Sequence, residues 1–117
     1  MKTKIELQDE TVALIERISI DENGILKIRP KDLIFDKIYR SAMGVQWDEK
    51  AQCLFHNPPD KWSSFQWFKQ ILRAVKSEYG ITLLATDETT LENVDNDTVV
   101  AIKKHMKFII GGDNYDV

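Results

Sequence analysis

A single cysteine, Cys53, rules out an intramolecular disulfide in this chain of 117 residues. A lone thiol fits a reducing, cytoplasmic compartment. Long apolar runs are also missing, so no segment reads as a membrane span. The first residues, M-K-T-K-I-E-L-Q-D-E, lack the apolar core of a signal peptide, which again leads us to expect a cytoplasmic protein. Positive charge is in deficit: 16 Lys and Arg stand against 19 Asp and Glu, for a net charge of −3 and a pI near 5.4. That balance argues against general nucleic-acid binding, which calls for a surplus of bases. No repeat, linker or low-complexity stretch divides the chain. With 43% apolar and 30% charged residues, 1–117 reads as one globular domain with one core.

Catalytic and metal signatures are missing too. Cys53 and His56 invite a thiol–imidazole pair, but a spacing of three along a strand sends them to opposite faces. His105 has no HxxxH or HxxE partner and reads as structural rather than metal-binding. The acidic run Asp87, Glu88, Glu92, Asp95, Asp97 lacks the glycine and the closing glutamate of a calcium loop, so it reads as a solvated loop with a helix cap. Gly111-Gly112 has no helix after it and reads as a helix stop, not a phosphate loop. No cofactor and no metal are expected.

The chain is organised around the stretch from Trp62 to Ile81. Ser63 is a good N-cap and Gln66 stands three residues on, a capping box. Trp62 and Trp67 occupy the two places of a hydrophobic staple. Gly80 can take the left-handed conformation that closes a helix. Phe65, Phe68, Leu72, Val75 and Tyr79 form one stripe. Trp67, Ile71 and Ala74 widen it to about 160°, beyond the minimum a core-facing helix needs. Lys69, Arg73 and Lys76 make the outer face purely basic. That face could meet phosphates or anionic lipid, or lie against the acidic 87–97 stretch of this or a second chain.

Before the helix the pattern is that of strands. Residues 3–7 read as a short strand. Val12 to Ile20 and Ile25 to Ile28 form a hairpin around D-E-N-G. A three-residue loop, Glu22-Asn23-Gly24, pairs Ile20 with Leu26 and Ile18 with Ile28, keeping four apolar residues on one face. Residues 31–37 can make a turn or two of helix after Pro30. From Ile38 to Trp47 an alternating set reads as a strand, kinked at Gly44. Gln52 to His56 returns as the next strand, in a register that the sequence leaves open. After Gly80, I-T-L-L-A-T reads as an inner strand, with a short strand around Thr89–Leu91. Asp95 or Asp97 then caps a second helix running to about Phe108, with Val99, Ile102, Met106 and Ile109 along its apolar side. The tail D-N-Y-D-V reads as loose.

Nine of the eleven aromatic residues fall between Phe35 and Tyr79. Most of them read as core. Trp62 and Trp67 are harder to absorb, because a staple buries them only partly and tryptophan is enriched at interfaces. The candidates for an interface or ligand site are therefore Trp62, Trp67, Ile71, Trp47, His56, Lys69 and Arg73. The helix W-F-K-Q-I-L followed by Y-G-I-T-L-L-A-T resembles small orphan bacterial proteins of the kind carried on integron gene cassettes. The resemblance covers the second half of the chain. That group has no common fold or activity, so it implies no site and no reaction.

These readings converge on an α+β domain: an antiparallel sheet of four to six strands with two helices packed on one face. The function expected is non-catalytic binding or protein interaction, with a small molecule or another protein as partner. The alternative is an enzyme or ligand-binding protein using His56, with an acid such as Asp60, in a tryptophan-lined pocket. A homo-oligomer, most simply a dimer, is expected to cover the surplus at Trp67, Ile71 and Ala74 with Trp62 or Trp67 at the contact. The competing cover is the N-terminal strand or the 31–37 segment.

Overall fold

The computed structural model describes residues 11–56 and 61–109, the side chains of 107–109 excepted. Six strands make one sheet: β1 Thr11–Ile20, β2 Leu26–Pro30, β3 Val45–Asp48, β4 Cys53–His56, β5 Ile81–Leu84 and β6 Thr90–Glu92. The helices are α1 Ser64–Tyr79 and α2 Asn96–Ile109, with a short 3-10 helix at Ile38–Ser41. The sheet runs β3-β4-β2-β1-β5, and β6 also pairs with β1. The α+β class holds, but the sheet is mixed rather than purely antiparallel. β1, β2, β4 and β3 meet as antiparallel neighbours, whereas β5 and β6 run parallel to β1. The cause is α1, which carries the chain across between β4 and β5; parallel pairing needs such a crossover.

The first hairpin has the register that burial demands. Ile18 pairs with Ile28 and Ile20 with Leu26. The Gly24 amide donates to the Asp21 carbonyl at 2.9 Å, and Gly24 takes the left-handed φ of 79° that this turn requires. Further along, the register slips between Ile15 and Arg17. The extra residue, Glu16, makes a bulge, so Ile15 and Ile18 both reach the core.

α1 forms as its sequence dictates. The Gln66 amide donates to Ser63 Oγ at 3.2 Å, the Ser63 amide donates to Gln66 Oε1 at 2.9 Å, and Gly80 closes the helix in the left-handed region. Its Phe68, Ile71, Ala74 and Val75 meet Ile18, Ile28, Leu54 and Leu83 of the sheet, and Ile102 and Met106 of α2 complete the same core. Asp95 is the cap of α2: its carboxylate accepts from the Thr98 amide at 3.1 Å and the Thr98 hydroxyl at 2.7 Å. Those bonds, the hydroxyl's foremost, hold its pKa below the ordinary carboxylate value. Both helices serve one sheet face. The other face carries no helix among the described residues, and Val12 and Leu14 stand exposed on it.

Three expectations are corrected. Residues 31–37 are not helical; the single turn comes later, at Ile38–Ser41. That turn replaces most of the strand expected from Ile38, of which only Val45–Asp48 forms. Phe35 and Ile38, three apart, are both buried, whereas Tyr39, within the span expected as a strand, is 65% exposed. Helical spacing thus serves the core there and alternation does not. The Tyr79 hydroxyl accepts from the Lys37 amide at 2.8 Å and fixes the segment on the end of α1. Lastly, β5 is not an inner strand; it ends the strand order among the described residues. The expected strand at 3–7, the Gly111-Gly112 stop and the tail lie outside those residues.

Candidate functional site

Trp67, His56 and Trp62 form one stack. The His56 ring lies parallel to the Trp67 indole, 4.3 Å between centroids and 3° between planes. Trp62 packs against Trp67 at 4.8 Å, its ring tilted by 53°. β4 places His56 on the core face opposite Val45, and the staple position of α1 delivers Trp67 to it. The stack is mostly interior. Trp67 is 9% exposed and His56 almost fully buried, while Trp62 is 42% exposed. His56 Nε2 accepts the Leu26 amide at 2.9 Å, so its lone pair is committed to the backbone of β2. An imidazole held this way is a structural acceptor and a poor general base. Asp60, its expected acid, lies outside the described residues.

The other expected site residues scatter. Ile71 is fully buried in the core together with Ala74, so the surplus read from the helix arc is absorbed within the chain. Trp47 faces Phe35 edge-on at 6.2 Å and, among the described residues, makes no ring contact with the stack. Lys69 lies over the Phe65 ring at 4.9 Å, and Arg73 donates to Gln70 Oε1 at 3.0 Å. His105 sits edge-on to Phe65 and Phe68. Burial, then the charges of Lys69 and Arg73, lower its pKa below the usual histidine value. It therefore stays neutral further into acid than a free imidazole.

Cys53 is on the opposite sheet face from His56, as its spacing requires. It is 4% exposed. Burial, seconded by Asp48, pushes its pKa up against the pull of Lys27 and Arg29. The thiol is thus held as the unreactive acid form. Ellman's reagent is expected to label the native protein at least about tenfold more slowly than the urea-unfolded chain. Equal rates would show that the thiol is open.

Two concavities lie away from the tryptophans. A groove of about 690 Å³ runs between α2 and the β5–β6 connection, walled by Leu91, Val100, Ile102 and Met106 with Lys103 and Lys104 on the helix bank. A smaller hollow of about 190 Å³ lies on the open sheet face, lined by Arg17, Ser19, Lys27, Arg29, Lys50 and Cys53. The sequence reading missed both. The hollow was legible in principle, since the register that pairs Ile18 with Ile28 also sets Arg17 opposite Arg29.

Known proteins resemble this chain along much of its length. A solved structure described as "Structure from the mobile metagenome of North West Arm Sewage Outfall: Integron Cassette Protein Hfx_Cass5" is 34% identical, over 79% of this chain and 92% of that one, with a TM-score of 0.41. No curated protein matches. The family model described as Integron Cassette Protein Hfx_Cass5 matches residues 12–89. The likeness read from the second half thus extends back through the first hairpin and stops short of α2. On a match running from β1 past β5, the chain belongs to the Hfx_Cass5 family of integron cassette proteins.

Proposed function

We propose that this protein is a small non-catalytic binding domain of the bacterial cytoplasm that works as a homodimer, and that the groove beside α2 receives the second copy. The observation that carries the reading is the groove itself. Val100, 47% exposed, and Leu91 offer apolar surface where a solitary domain gains nothing from it. The banks differ in charge. Lys103 and Lys104 line the helix side, while Asp87 lines the strand side. A two-fold contact sets the basic bank of one copy against the acidic bank of the other, which makes the patch self-complementary. The committed Nε2 of His56 and the protonated, buried thiol of Cys53 support a role without catalysis.

Light scattering is expected to give about twice the chain mass of 13.6 kDa at high micromolar concentration. Val100→Glu is expected to halve that mass and leave the circular dichroism unchanged, since the side chain is half out of the fold. A wild-type monomer would end the proposal. So would a Val100→Glu protein that stays dimeric.

A further inference from the structure

The open face of the sheet carries an arrangement that folding alone does not favour. Arg17 and Arg29 are direct cross-strand partners, and Ser19 faces Lys27 in the next such pair. Like charges placed opposite each other repel. Lys50, from the β3–β4 turn, adds a fourth positive charge to the same hollow, and no acid is among its lining residues.

Surface ion pairing accounts for these bases only in part. Arg17 approaches Glu92 at 3.7 Å, Lys27 approaches Asp21 at 3.5 Å and Arg29 approaches Glu16 at 3.6 Å. Those separations exceed the 2.7–2.9 Å of a charge-assisted hydrogen bond, about which such a pair gains most. The partners are solvated, so the pairs constrain the bases weakly. Lys50 has no ion-pair partner among the described residues. Arg17 also keeps its Nε–H buried without an acceptor among them. Four bases around one hollow with no acid in its lining make a local positive field that favours an anion.

We propose that this hollow binds a small phosphate ester, its phosphoryl group held between Arg17 and Arg29, with Lys27 and Lys50 beside it and the Ser19 hydroxyl as a neutral donor. A phosphoryl dianion matches the site better than a carboxylate does. It brings close to two charges and three acceptor oxygens, and guanidinium forks engage such oxygens in pairs. Extended polyanions are disfavoured. The hollow holds about 190 Å³, and Glu16, Asp21 and Glu92 fringe it with negative charge.

An amide-resolved NMR titration of the full chain tests this, with inorganic phosphate as the probe and chloride and acetate at matched ionic strength as controls. Phosphate is expected to give saturable shifts at residues 17–19, 27–29 and 50–53, and the controls none. Arg29→Gln is expected to weaken binding by about tenfold or more, the loss of one charge-assisted contact. Lys50→Gln, on a turn, is expected to weaken it too; its surface position keeps the test available if the strand variant does not fold. Shifts that never saturate, or that acetate reproduces, overturn the proposal. So does a folded Arg29→Gln protein, or a Lys50→Gln protein where that one does not fold, that binds like wild type. A short single-stranded RNA that shifts residues well beyond the hollow, and binds more tightly than phosphate esters, also overturns it in favour of a nucleic-acid surface.

Discussion

Trp67→Ala is expected to lower the unfolding free energy by about 3–5 kcal/mol, the usual cost of emptying a buried aromatic site. Domains of this size have only about 5–15 kcal/mol in hand, so the variant approaches the edge of folding. Trp67 packs against His56 at 4.3 Å and Trp62 at 4.8 Å, and the residue is 9% exposed. Removing it leaves a void between α1 and β4 that neither neighbour can fill without breaking its own contacts. Trp67→Phe is expected to cost much less. It keeps an aromatic plane against His56 and also removes the indole Nε1–H, which is buried without an acceptor among the described residues. Urea unfolding followed by circular dichroism measures both. A Trp67→Ala protein as stable as wild type, but lighter in light scattering, would return this tryptophan to an intermolecular contact and displace the groove beside α2.

The helix that carries Trp67 was legible because every local signal agrees: cap, capping box, staple and closing glycine lie within one stretch. The first hairpin was legible for a related reason, since slipping it by one residue would turn Ile18 and Ile20 to water. What failed was decided at long range. The arc of α1 looked too wide for one sheet face, but Trp67 reaches past the sheet centre to His56 on β4, and Ala74 is small enough to be closed over. No spacing within the helix reports that. Likewise, Ile38 to Gly44 alternates like a strand, yet Ile38 is pulled into the core beside Phe35, and the chain must coil to bring both there. The parallel placement of β5 is a property of the crossover, not of I-T-L-L. As for the hollow, its bases are spread over two strands and a turn, and only the pairing of β1 with β2 could have joined any of them.

His56→Leu is expected to destabilise the protein by about 2–4 kcal/mol, although leucine is close in volume and more apolar. The reason is the backbone it leaves behind. The Leu26 amide, on the central strand β2, donates to His56 Nε2 at 2.9 Å in a buried setting. β2 has β1 on one side and β4 on the other, and this amide uses a side chain where the ladder offers no carbonyl. Leucine removes the acceptor and cannot admit water, so the amide bears its full desolvation cost. The parallel stack on Trp67 is lost with it. Two comparisons separate these losses. His56→Gln carries an oxygen to nearly the same position and is expected to recover about 1 kcal/mol or more of the hydrogen-bond part while still lacking the ring. A double-mutant cycle of His56→Leu with Trp67→Leu, which removes the aromatic plane, is expected to show a coupling of about 0.5–1.5 kcal/mol from the ring pair. Hydrogen exchange gives a local readout: the Leu26 amide should lose protection in His56→Leu more than its neighbours on β2 do. If His56→Leu were as stable as wild type, the imidazole would not be serving as the backbone acceptor described here, and its use as a chemical group would have to be reopened.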